Sequence, residues 1–140
     1  MPRSRQDMVL SRWDLVPDIV GPSGSISVEL HGRKTALITL HFGSRDLMLN
    51  VPHIYALTWE FEGPANTPLP RPLPHFEASD VKQWVYPLLK VDNDAEWLQQ
   101  VSLYYERQGA PLGHFFLVSM DDIIEFVGRS DVDAKWVPSK

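Results

Sequence analysis

Cysteine is missing from this 140-residue chain, which excludes both a disulfide framework and a thiolate nucleophile or metal ligand. Long apolar runs are missing as well: no stretch approaches the roughly 18 residues that a membrane-spanning helix needs. The basic opening, Met1 to Arg5, leads into Asp7, Arg12 and Asp14 and not into the apolar run of a signal peptide, so a soluble cytoplasmic protein is the expectation. Clustered positive charge is scarce. Lys and Arg number 13 against 18 Asp and Glu, a net charge of −5, and short pairs such as Arg33 and Lys34 make no patch; a nucleic-acid partner is not expected.

Signatures of chemistry are equally thin. A nucleophile elbow needs Gly-x-Ser-x-Gly, but in the run Gly21, Pro22, Ser23, Gly24, Ser25 a serine stands where the second glycine belongs. A phosphate-cradling loop would need a lysine there, so the run reads as an ordinary turn. Asp92, Asn93, Asp94 and Glu96 hint at a calcium loop, yet Trp97 occupies the sixth place, where that loop requires glycine. The histidines, at 31, 41, 53, 75 and 114, never share the spacing that sets two of them on one helical turn, and each is expected to be solvent-facing or hydrogen-bonded. Asp121, Asp122 and Glu125, with Asp131 and Asp133 beyond them, form the densest acidic group and read as a solvated turn. No catalytic, cofactor or metal residues are assigned.

What the chain does contain is alternation. Ile26, Val28 and Leu30 alternate with Ser25, Ser27, Glu29 and His31, and Ala36, Ile38, Leu40 and Phe42 alternate with Thr35, Thr39 and His41. Leu47, Leu49 and Val51 continue the pattern. A period of two marks strands with one dry face, and the Gly32 and Gly43 breaks mark hairpins. A loop around Gly32 sets Leu30 opposite Ala36 and Val28 opposite Ile38. One centred on Ser44 and Arg45 sets Phe42 opposite Leu47, Leu40 opposite Leu49 and Ile38 opposite Val51, with His41 near Met48. A three-stranded antiparallel meander over 26–51 follows.

Beyond Pro52 the parity runs on through His53, Tyr55, Leu57, Trp59 and Phe61. A strand from 47 to 62 would exceed the usual ~10 residues, and proline cannot donate to a ladder, so Pro52 predicts a corner and a second strand in another sheet or sharply bent. Prolines at 64, 68, 70, 72 and 74 predict a surface loop over 63–75; their spacing does not suit a groove that reads Pro-x-x-Pro. Further strands are expected near 85–91 and 114–118, with 123–127 a strand or a short helix, here read as strand. One helix is predicted near 94–108, from an Asn93/Glu96 capping box to Gly109, with Trp97, Leu98, Val101, Tyr104 and Tyr105 on one stripe. The tail 129–140 is polar apart from Trp136 and Val137, which dock or fray.

The fold class expected is a single α+β domain: a β-rich antiparallel sheet or sandwich with that one helix packed on it. The five Trp and four Tyr, in a chain without a catalytic constellation, point to a non-enzymatic protein-binding or adaptor module. Its surface would use Trp84, Trp97, Tyr105 and Trp136, and its partner would be a second copy or another protein, with no membrane and no cofactor. The competing reading is a β-cavity that binds a small molecule, or a hydrolase in which His41, His53 or His114 meets a carboxylate.

Overall fold

In the computed structural model the meander predicted from alternation is present. Strands β2 (Ser25–His31), β3 (Thr35–His41) and β4 (Arg45–Val51) pair antiparallel in sequence order. The structure describes residues 9–19, 21–32, 35–61, 75–76, 86–93, 96–100, 112–120 and 122–139. Between β2 and β3 the register is as expected, with Leu30 opposite Ala36 and Val28 opposite Ile38. Between β3 and β4 it differs by two residues: Leu40 faces Leu47, Ile38 faces Leu49 and Ala36 faces Val51. The turn is the reason. Gly43 takes φ +94° and the Phe42 N–H bonds the Arg45 carbonyl, so the hairpin centres one residue earlier than Ser44–Arg45. A slip of two keeps every side chain on its face, and the dry face survives.

Pro52 is the corner. β4 stays in the first sheet, whereas β5 (Ile54–Phe61) joins a second one, with an irregularity between Ile54 and Ala56 where it meets its neighbour. The remaining strands are β1 (Val9–Arg12), β6 (His75–Phe76), β7 (Leu88–Val91), β8 (Leu112–Val118), β9 (Asp122–Arg129) and β10 (Asp133–Pro138). The second sheet runs β5-β9-β8-β7-β1-β6; its pairs are antiparallel except the two-residue β6, which lies parallel to β1. The first sheet runs β10-β4-β3-β2. Residues 123–127 are therefore strand. The polar tail docks: β10 pairs with β4 at all of its positions.

A short helix, α1, covers 96–100 and packs against β7. The rest of the predicted span, and Val101, Tyr104 and Tyr105 of its stripe, lie outside the described residues, as do the prolines of the 63–75 loop. Asn93, expected as the cap, also turns its Oδ1 to the backbone N–H of Val9 at 2.9 Å and so ties the start of the helix to β1.

Both sheets feed one core. Ile38, Leu40, Leu47, Leu49 and Val51 from the first, and Leu88, Phe116, Leu117 and Ile124 from the second, are fully buried in a single cluster. Each such side chain contributes about 1.5–3 kcal/mol relative to exposure. In the first sheet β3 and β4 bury alternate residues; β8 buries Phe115 through Val118 without a break, and β9 buries Ile123, Ile124, Phe126 and Val127 on either side of a half-buried Glu125, so both of their faces are covered. Trp13 belongs to the same cluster, stacked on Phe115 with ring centroids 3.9 Å apart.

Candidate functional site

Three clusters of polar and aromatic side chains emerge. The first lies on the outer face of the first sheet. The two-residue slip in register sets His41 opposite Asp46 and not beside Met48, and its Nδ1 lies 3.2 Å from Asp46 Oδ1. Ser27 Oγ lies 2.8 Å from His41 Nε2, and Ser139 Oγ donates to Asp46 Oδ1 at 2.7 Å. Serine, histidine and aspartate in that order are the parts of a nucleophile, its base and an orienting carboxylate. Position argues otherwise. The chain of bonds runs across β2, β3 and β4 and on to Ser139, and it braces the strands. A cleft of about 210 Å³, lined by Phe42, Ser44, Arg45 and Trp136, opens at the same hairpin. Phe42 and Arg45 adjoin His41 and Asp46 in sequence and so point to the opposite face. Ser27 thus does not look into that cleft.

The cleft itself is occupied by its own groups. The Arg45 guanidinium lies 3.6 Å above the Trp136 ring and bonds Asp18 at Oδ2 (3.3 Å) and at its carbonyl (3.0 Å). Trp136 Nε1 donates to Asp18 Oδ1 at 2.9 Å, and Phe42 meets the indole edge-on. The indole N–H holds the Asp18 carboxyl below the ordinary carboxylate value; desolvation opposes this, and Arg45 adds to the lowering. The guanidinium is already neutralised, and the cleft is smaller than the roughly 300–1,000 Å³ typical of ligand pockets. It locks the segment before β2 onto β10.

The second cluster is buried. His114 Nε2 lies 2.7 Å from Glu125 Oε2, its ring between Phe116 of the same strand and Trp97 of α1. The pair joins β8 to β9 beneath the helix. Of the histidines named in the hydrolase reading, His41 and His114 therefore meet a carboxylate directly, one as a surface brace and one beneath α1, and His53 lies near enough to Asp131 to help lower that carboxyl. Among the described residues no group of three His, Asp or Glu is placed to hold a metal.

The third cluster surrounds Asp122. Read from sequence as part of a solvated turn, Asp122 is instead buried, because the β8–β9 hairpin folds its carboxylate inward. Its Oδ1 accepts the Ser119 hydroxyl, and its Oδ2 accepts the Trp59 indole N–H at 2.7 Å. Trp59 is 38% exposed and Met120, in the same hairpin, is 65% exposed. An indole that keeps a face in water while its N–H is fixed to a buried carboxylate is held in one orientation before any partner arrives.

Of the residues predicted to bind, Trp84 and Tyr105 lie outside the described residues. Trp97, on α1, and Trp136, on β10, are half-buried and engaged with His114 and with Asp18, Arg45 and Phe42. Trp59 shares its face with Leu57, and because β-strands favour aromatics for packing alone, alternation marks it as core. The sequence signal that singles it out is the strand itself: IYALTWEF holds one acidic or basic residue, Glu60, in eight.

Fold and clusters together define a two-sheet β-sandwich with one long, sparsely charged outer strand. Comparison with family models, with curated proteins and with solved structures finds no match to this chain.

Proposed function

We propose that this chain is a non-enzymatic protein-binding module that takes up a polypeptide strand along the outer edge of β5, with Trp59 as its anchor. The observation that carries the reading is the exposed Trp59 ring pinned through Nε1 to Asp122. Tryptophan is the residue most often found at the energetic centre of interfaces, and an anchor already held in place loses little freedom on binding.

The strand around it supports the reading. Sheets present four edges to solvent or neighbours, and proteins ordinarily blunt them with charge, proline or brevity. β2 carries Glu29 and His31, β10 carries Asp133, Lys135 and Pro138, and β6 is two residues long. β5 has eight residues and only Glu60 charged, and among the described residues nothing pairs with its outer side. Strand addition uses such an edge: main-chain bonds supply affinity and alternate side chains supply choice.

Binding, whether to a second copy or to another protein captured from native lysate, is the measurement. Trp59→Ala should weaken it by about 2 kcal/mol or more, roughly thirtyfold. Association that Trp59→Ala leaves unchanged, or no association of either kind, overturns the reading.

A further inference from the structure

Resting on that reading, we infer that the strand taken up by β5 is β5 of a second copy, paired antiparallel about a two-fold axis at Thr58. Two identical edge strands that pair antiparallel are related by an axis normal to the sheet, so facing residues lie on the same side of it. In an alternating strand this restricts the register to sums of residue numbers that are even. The irregularity between Ile54 and Ala56 breaks alternation at Tyr55, which leaves 56–61 as the regular portion. The two even registers nearest its midpoint turn about Thr58 or Trp59, and the one about Thr58 keeps Thr58 from facing Glu60 and sets Trp59 beside Leu57. The pairs are then Thr58 with Thr58, Leu57 with Trp59, and Ala56 with Glu60.

Each pair suits its neighbour. Among 54–59, Ala56, Thr58 and Trp59 are exposed, and Leu57 is half-buried beside the core. Facing threonines are a favourable cross-strand pair, and an aromatic beside a branched aliphatic is another. The Trp59 ring, held by Asp122, would lie across Leu57 of the second copy, and the reverse contact follows by symmetry. The Glu60 positions fall at opposite ends of the paired segment, each facing alanine, so the one charge of the edge meets no like charge. An edge that carried Lys, or Glu at its centre, would repel its own copy; this one does not. The product is one continuous twelve-stranded sheet made from two of six.

Sedimentation velocity on the full chain over a range of concentrations tests this. The expected result is a reversible dimer whose dissociation constant rises at least tenfold in Thr58→Lys, which sets two ammonium groups face to face, and stays unchanged in Leu30→Lys on the β2 edge. Amide exchange of the unmodified protein gives an independent reading: amides within 56–60 should slow as concentration rises. A chain monomeric throughout, with exchange in β5 independent of concentration, overturns the second copy as partner. In that event, Trp59-dependent capture of a different polypeptide would keep the wider reading. A dimer indifferent to Thr58→Lys, with no slowing in β5, overturns the edge as its interface.

Discussion

Asp18 shows how one carboxylate can hold distant parts of a chain together. It accepts from Trp136, 118 positions away, and pairs with Arg45, which itself stacks on that indole. Because its folded value lies below the ordinary one, its contribution to stability is present above the unfolded value and disappears as pH falls through the folded value. The indole N–H resonance of Trp136 should therefore keep its neutral-pH position as acid is added past about pH 3.9 and move only below it. Asp18→Asn should abolish that movement, and an NMR titration reads both. At this scale the sequence was least legible. Trp136 stood out as a large aromatic in a polar tail, but Asp18 was one acidic residue among many, and no local spacing links residues that meet from two different strands and a loop.

At the scale of elements the decisive places are the corners. After Pro52 the chain leaves the first sheet, and the Arg129 N–H bonds the His53 carbonyl at 2.9 Å where β5 settles on β9. Gly128 permits the approach: a Cβ there would run into the His53 carbonyl. Gly128→Ala should accordingly cost about 1–3 kcal/mol as backbone shifts to make room, measured as a lowered urea midpoint with an unchanged slope. Pro52 was readable as a corner because a proline cannot donate and a sixteen-residue strand is improbable. Gly128 looked like the mere end of an apolar run. The β3–β4 hairpin shows the same division: alternation specified which face is dry, while the left-handed Gly43 chose among registers that alternation cannot tell apart.

For the whole molecule, the two sheets share one core, and the strands covered on both faces are the least able to open alone. Native-state amide exchange should find its slowest amides in β8 and β9, at the global unfolding free energy, with those of β2 and β10 exchanging sooner through local opening. What the sequence determined by itself was the local order: strands where polar and apolar residues alternate, breaks at glycine and proline, a helical start after Asn93, and a mainly antiparallel β fold. Each of these follows from periods of two or 3.6 residues that are written within a few positions of one another. Tertiary structure alone decided which carboxylate takes which partner: Glu125 for His114, Asp46 for His41, and Asp122 for Trp59. Those choices depend on strand order and register, and these are set by how two sheets close over a common interior.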